Sequence, residues 1–475
     1  MGRRRKKEII LEGIEALRAG AKGVSIGKTN DGKTVLIKGA VPGDVVNVSV
    51  YKKKSSYLEG RVLEIVKPSP DRVQPLCEHF GVCGGCSWQD LNYVAQLKWK
   101  QNEVENNLLR IGGFEKLDIQ PILGSAKEYF YRNKLEFSFS NARWLTAQEI
   151  QSEEVFERNA LGFHIPGQWS KVLDIHQCHL QPEPSNSIRL EARKYALENG
   201  YEFFDLKNRE GFLRTMMIRN NRKGEFMVLV QFFKEDKPRR EAFLEHLKNK
   251  FPEIVSLLYA INSKGNDSLY DLEIQLYAGQ DFLMEEMEDL QFKIGPKSFY
   301  QTNPEQAYEL YKIVRNFADL KGGETVYDLY TGTGTIAQFV AKKAGKVVGV
   351  EAVQEAIDAA KANAEANGIV NCSFYCGDMK EIFDDAFISE NGNPDIIITD
   401  PPRDGMHKSV VETILRIAPE KVVYVSCNSA TQARDLALMK SHYKITKVRP
   451  VDMFPQTAHV ENVVLLERIS DNSMD

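Results

Sequence analysis

The sequence predicts a multidomain α/β protein. It would comprise a small all-β barrel, a mixed α+β central domain with a metal cluster, and a C-terminal doubly wound, Rossmann-like domain. Three observations lead there. Short β-rich runs separated by turn residues fill positions 8–67. Three cysteines then crowd into ten residues, Cys77 to Cys86. Beyond about residue 291, strand-like and helix-like segments alternate. A chain of 475 residues has room for about three such cores.

Composition narrows the class. The chain is 43% hydrophobic and 27% charged, and holds no apolar run long enough to span a bilayer, so no membrane partner is expected. The opening Met1–Lys7 is basic with no apolar segment behind it, unlike a secretory signal. A cytoplasmic location and reduced thiols are the corresponding expectations, so seven cysteines point to metal or catalysis before disulfides. The net charge of −4 is unevenly spread: residues 1–100 hold 18 Lys and Arg against 10 Asp and Glu. A basic amino-terminal part on an acidic body suits a polyanion-binding module.

The elements follow in order. After a basic tail at 1–7, β-rich runs at Val24–Ile26, Thr34–Ile37, Val45–Tyr51 and Arg61–Val66 are separated by the turns Gly27–Gly32 and Pro42-Gly43-Asp44. Together they read as a barrel over 8–67, of a size that commonly binds single-stranded nucleic acid. This segment resembles a TRAM domain, an RNA-binding barrel. Pro68-Ser69-Pro70 is a linker into the cysteine segment, 68–92. There C-x5-C-x2-C spacing, with glycines between, lets Cys77, Cys83 and Cys86 converge on one centre. Cys178 is the one remaining cysteine in the first two thirds of the chain and the candidate fourth ligand. Four thiolates suit zinc or an iron–sulfur cluster, and spacing does not separate them. Residues 93–119 are expected to hold a helix packed on the C-terminal domain, with Val94, Leu97, Val104 and Leu108 inward and Gly112-Gly113 as its stop. Residues 120–290 mix strands and helices, with Asn141–Asn159 as a polar surface insertion.

The final segment, 291–475, carries the chemistry. A strand at Thr325–Tyr330 runs into the turn Thr331–Thr335, whose Gly332 and Gly334 let a cofactor lie against backbone. The next strand ends in Glu351, about twenty residues on, placed to accept both ribose hydroxyls of a nucleoside. The combination fits NAD or S-adenosylmethionine. With no second dinucleotide half, a nucleoside with a charged methionine tail, steered by carboxylates such as Asp328 and Asp378, is the better match. Asp400-Pro401-Pro402-Arg403 then makes a rigid corner able to present Asp400 to a flat base. The strand Lys421–Ser426 delivers Cys427, and Glu461 opens the terminal strand near the same edge. A thiol adding at carbon 6 of a pyrimidine makes carbon 5 nucleophilic enough to accept a methyl group. A base must then remove the carbon-5 proton. Cys427 and Glu461 supply those roles.

Ser298-Phe299-Tyr300-Gln301, the Asp328–Thr335 loop, Glu351, Asp400–Arg403, Ser426-Cys427-Asn428 and His459–Asn462 resemble, in order and spacing, the RNA (uracil-5-)methyltransferase family. The cysteine run with Gln177-Cys178 and the amino-terminal barrel look like its 23S rRNA branch. The resemblance implies a [4Fe-4S] cluster on Cys77, Cys83, Cys86 and Cys178. It also implies S-adenosylmethionine contacts from Gln301, Tyr330, Thr335, Glu351, Asp378 and Asp400, with Cys427 as nucleophile and Glu461 as base. The implied partner is RNA, 23S rRNA in particular; tRNA uridine-5 and RNA cytosine-5 methylation are the alternatives, with a purely RNA-binding role further off.

Overall fold

The computed structural model describes residues 9–469; the basic tail expected at 1–7 lies outside the described residues. The chain divides into two compact units. One consists of the segment up to Glu128 together with Cys427–Ala437 and Val448–Asn462. The other holds Tyr129–Ser426, Leu438–Lys447 and the chain from Val463 onward.

In the first unit, β1 (Ile9–Ala19), β2 (Ser25–Lys28), β3 (Thr34–Lys38), β4 (Val45–Lys53) and β5 (Tyr57–Lys67) form a closed barrel in the order β1-β2-β3-β5-β4. Its interior holds Ile14, Val35, Ile37, Val46, Val48 and Leu58. Closure needs a backbone approach at Gly60, where a Cβ would come within 2.3 Å of Val48. The first strand escapes the sequence reading because its apolar residues do not alternate. Its register shifts between Leu11 and Ile14, at Gly13, which has φ +65°. Asp44, fully buried, accepts the Val41 and Ser69 amides at 2.8 and 2.9 Å and pairs with Arg72 at 2.6 Å, tying the barrel to the cysteine segment. The helix α1 (Tyr93–Arg110) follows, capped by the Asn92 side chain. Its buried stripe is Gln96, Lys100, Val104 and Leu108, while Val94, expected inward, is 79% exposed. Its first two turns thus bury the polar side chains Gln96 and Lys100 beside the small Ala95.

The second unit begins with a seven-stranded sheet. It is built from β6 (Lys134–Ser140), β7 (Ala160–Ile165), β8 (Gln168–Asp174), β9 (Leu213–Asn220), β10 (Phe226–Phe232), β11 (Ile254–Ile261) and β12 (Gln275–Gly279), in the order β12-β11-β10-β9-β6-β7-β8. The short α2 (Ala147–Gln151), closed by a capping box on Thr146, occupies the polar insertion. Helices α3 (Ser185–Glu198) and α4 (Lys237–Lys250) cover an aromatic-rich core. A hairpin, β13 (Leu283–Met287) and β14 (Leu290–Ile294), precedes α5 (Pro304–Ala318), which starts with Asn303 accepting from the Gln306 amide and Pro304 in the first turn.

The last sheet is doubly wound. Its strands are β15 (Thr325–Leu329), β16 (Lys346–Glu351), β17 (Cys372–Cys376), β18 (Ile396–Thr399), β19 (Lys421–Ser426), β20 (Tyr443–Val451) and β21 (Glu461–Arg468), in the order β17-β16-β15-β18-β19-β21-β20. The connecting helices are α6 (Thr335–Ala341), α7 (Gln354–Ala366), α8 (Met379–Ile382), α9 (Asp385–Asn391), α10 (Lys408–Ile417) and α11 (Ser429–Met439). Strands β15 to β19 pair in parallel; β16, β18 and β19 carry Val and Ile runs buried on both faces, while the edge strand β17 buries only Phe374. Strand order reverses at β15, between β16 and β18, the switch point where such sheets open a crevice at their carboxyl edge. Among the described residues no helix is long and apolar enough to cross a membrane.

Candidate active site

The glycine turn after β15 is bent by three left-handed residues, Tyr330 (φ +64°), Gly332 (+57°) and Gly334 (+74°). Tyr330 pays a conformational cost of about 1–2 kcal/mol, the kind of local strain that clusters at ligand sites. The two glycines differ in kind. A Cβ on Gly334 would lie 2.9 Å from both Ala360 and Phe374, so that glycine serves packing. A Cβ on Gly332 would meet nothing within 4 Å, so the backbone there offers an open bed for a ligand.

Two carboxylates shape the turn. Asp328, buried at the end of β15, accepts the Thr331 hydroxyl at 2.5 Å and the Ala337 amide of α6 at 3.0 Å. Its other oxygen, Oδ1, is buried without a hydrogen-bond partner, and burial pushes its pKa up to about 7. Glu351 Oε2 accepts the Gly332 amide at 3.1 Å, while Oε1 accepts the Ala352 and Val353 amides at 2.8 and 3.2 Å. The carboxylate is thereby fixed in orientation with lone pairs left for hydroxyl donors. Thr335 opens α6, buried, its hydroxyl 3.3 Å from that of Thr333.

Asp400 follows β18, its amide donating to Leu329 O at 3.3 Å, so it stands beside the β15 turn. Desolvation, and then the neighbouring Asp328, raise its pKa. Asp378 is exposed beyond β17 and caps α8 by accepting the Lys380 amide at 3.0 Å. The Gly377 amide donates to Glu351 O at 2.9 Å, drawing the ends of β16 and β17 together. Tyr330, Gly332, Thr335, Glu351 and Asp400 thus gather at the switch point. Gln301 comes from a separate segment, held to the central sheet by Asn133, whose side-chain amide donates to Gln301 O at 3.2 Å.

In the first unit, half-buried Cys427 lies two positions before α11, whose start is organised by Asn428: its side chain accepts the Ala430 amide at 3.2 Å and its carbonyl the Thr431 hydroxyl at 3.1 Å. Buried Glu461 directly precedes Asn462. Asn462 and Gln432 of α11 are paired reciprocally, Asn462 Nδ2 donating to Gln432 Oε1 at 2.8 Å and Gln432 Nε2 to Asn462 O at 3.2 Å. This pair brings the segments bearing Cys427 and Glu461 together. Asn462 belongs to the His459–Asn462 motif, but nothing in the sequence marks Gln432 as its partner, because an amide side chain carries no signal of what it pairs with.

The thiol segments are equally constrained. Gly81 (φ +85°) and Gly84 (φ +78°) bend the loop between Cys77 and Cys86, and the Cys83 amide donates to His79 O at 3.0 Å. Cys77 is anchored by its amide donating to Gln89 Oε1 at 3.1 Å. All three thiols are outside any disulfide and half-buried. Cys178, likewise outside any disulfide, lies on the turn after β8, where Asn186 of α3 takes its amide at 2.8 Å and donates back to its carbonyl at 3.1 Å. Buried Arg189 donates to His176 O at 2.9 Å in the same turn.

Comparison with known proteins places this geometry. A model of the tRNA (uracil-5-)methyltransferase family matches residues 272–469, and a TRAM domain model matches residues 4–63. An uncharacterized RNA methyltransferase of Bacteroides thetaiotaomicron is 54% identical over 451 residues, covering 94% of this chain and 99% of the relative. The chain belongs to the RNA (uracil-5-)methyltransferase family. A second relative in this family, an uncharacterized RNA methyltransferase of Porphyromonas gingivalis, is 54% identical over 448 residues, 92% of this chain and 96% of its own. Among solved structures, the Pyrococcus abyssi tRNA (uracil-54, C5)-methyltransferase in complex with S-adenosyl-L-homocysteine matches with a TM-score of 0.73 at 27% identity. The match covers 95% of this chain and all of that one. The closed barrel is this family member's TRAM domain, and its doubly wound sheet is the methyltransferase fold.

Proposed function

We propose that this chain uses S-adenosylmethionine to methylate carbon 5 of a uridine in RNA, with 23S rRNA as its substrate. Bound S-adenosylmethionine supplies an electrophilic methyl group. Gly332 gives its adenosine an open backbone bed, Glu351 accepts from the ribose hydroxyls, and Gln301, Tyr330, Thr335, Asp378 and Asp400 complete the pocket. The Cys427 thiolate adds to carbon 6 of the uracil, leaving carbon 5 electron-rich. Once carbon 5 carries the methyl group, Glu461 takes its proton, the carbon 6–sulfur bond breaks, and the 5,6 double bond re-forms. The target base leaves its stack to expose both carbons. The TRAM barrel, with Lys52, Lys53, Lys54 and exposed Tyr51 at one end, holds flanking RNA by phosphates and stacking.

Cys77, Cys83, Cys86 and Cys178 are assigned as ligands of a [4Fe-4S] cluster, a donor set of four thiolates suited to it. Every step above is redox-neutral, so the cluster would supply no electrons to the reaction. The observation that carries the reading is the amide pair Gln432–Asn462, which joins the segments of a candidate nucleophile and a candidate base in a member of this family.

The test uses RNA containing 5-fluorouridine, whose fluorine cannot leave as a proton does. A slow-migrating covalent band on a denaturing gel that disappears in Cys427→Ala is expected. Binding without an adduct would remove the mechanism. A tRNA substrate is the second reading, favoured by the likeness to the Pyrococcus tRNA enzyme. Parallel reactions on 23S rRNA and tRNA transcripts separate the two.

A further inference from the structure

We infer that Gln96 is a positioning residue for the proton-removal step: with Ser87 it braces the loop that delivers Glu461. The inference rests on the assignment of Glu461 as the base. The loop 452–460 joins β20 to β21 and ends at Glu461. At its middle sits Gln456, buried, with φ +67°, a conformation that a residue with a side chain adopts only when its surroundings impose it. What imposes it comes from 360 positions away in the sequence. The Gln456 amide donates to Gln96 Oε1 at 2.9 Å, and Gln96 Nε2 donates back to Gln456 Oε1 at 3.0 Å. The same Gln96 nitrogen lies 3.0 Å from Trp88 O and 2.8 Å from Leu91 O. The carbonyl of Gln456 receives the Ser87 and Trp88 amides at 2.9 and 3.1 Å, and the Ser87 hydroxyl receives the Ala458 amide at 3.1 Å.

Packing alone could close this loop, yet nearly every polar group of a strained residue five positions before the base is committed to a distant partner. Buried amide pairing of this kind selects one register among many compact ones. The helix that carries Gln96 also reaches the other arm of the site. Asn107 Nδ2 donates to Ser429 Oγ at 2.8 Å, two residues after Cys427. One rigid element, α1, therefore holds the segments that present both the nucleophile and the base. Ser87 is next to Cys86, so the brace continues directly from the thiol segment.

The chemistry divides the two arms. Thiol addition and methyl transfer precede any need for Glu461; only loss of the carbon-5 proton requires it. Displacement of a reacting group by about 1 Å costs on the order of 100-fold in rate. Loosening the brace therefore predicts enzyme stalled after methyl transfer, with sulfur still bonded to carbon 6.

The experiment uses full-length Gln96→Met, which keeps side-chain length and removes both donor and acceptor. It is incubated with the transcript that the unaltered enzyme methylates and with methyl-labelled S-adenosylmethionine. Release of labelled free RNA is expected to fall about 100-fold, while label accumulates in a covalent protein–RNA band on a denaturing gel. Glu461→Gln should give the same band. Equal loss of band and turnover in folded protein, or unaltered turnover, overturns the inference. If Gln96→Met does not fold, Gln456→Gly, which relieves the left-handed strain while deleting the paired amide, decides the matter by the same partition of label. If Glu461→Gln builds no band, the assignment of the base fails, independently of Gln96.

Discussion

Replacing Lys100 by methionine isolates the ion pair beneath the same loop. The ammonium lies 2.5 Å from Asp452 Oδ1 and 3.1 Å from Phe454 O, and neither partner's side chain is exposed. Burial pulls the Lys100 pKa below its ordinary range, and the Asp452 charge opposes that pull. Methionine keeps the volume and removes the charge, so the cost is set by what Asp452 is left with. Two donors remain to it, the Tyr93 hydroxyl at 2.9 Å on Oδ2 and the Phe454 amide at 3.1 Å on Oδ1. Breaking a buried pair on one side costs about 3–5 kcal/mol, and the two surviving donors put the expectation near the lower end of that range. The double variant Lys100→Met/Asp452→Asn removes both charges and should recover to within about 1–2 kcal/mol of the parent. Urea unfolding followed by tryptophan fluorescence reads this locally, since Trp88 lies 6.0 Å from the Lys100 ammonium. A loss below about 1 kcal/mol for the single variant, or a double variant no more stable than the single, would refute the reasoning.

Four further outcomes are expected. Glu285 is buried and its pKa is pushed by desolvation from 4.5 up to about 7, with Arg222 at 3.4 Å in part opposing the shift. The folded state then holds the proton more tightly than the unfolded chain, so stability should fall as pH rises from 4.5 to about 7 and level off above. Glu285→Gln should flatten that slope and exceed the parent above pH 7 by about 3 kcal/mol; parallel pH–stability curves would count against it. Gly332→Ala should weaken S-adenosylmethionine binding at least tenfold in calorimetry while costing about 1–2 kcal/mol through its positive φ. Gly334→Ala should lower the melting temperature more, because its Cβ meets Ala360 and Phe374. If the proposed ligand assignment holds, anaerobically purified protein carries visible absorbance and iron that Cys83→Ser abolishes; retained iron at four atoms per chain would exclude the assignment.

Much of this organisation is legible in one dimension because it is local. The turn Thr331–Thr335, the acid at Glu351 and the corner at Asp400 each stand at the end of a buried strand, Val- and Ile-rich in the last two cases, and strand ends are where this fold puts its ligands. The C-x5-C-x2-C run is likewise a property of consecutive residues. Strand β1 is illegible because Gly13 shifts its register, so that no alternation survives.

The polar spine of α1 is hidden for a different reason. Apolar periodicity selects Val94, whereas the helix buries Gln96 and Lys100, and a buried amide or ammonium is legible only through its partner. Those partners, Gln456 and Asp452, lie more than 350 positions away. The sequence by itself determined the classes of side chain available for the chemistry and the strand ends that carry them. Only the tertiary structure decided how Glu461 is held, because a hydrogen bond needs a distance and a direction, and chain separation encodes neither.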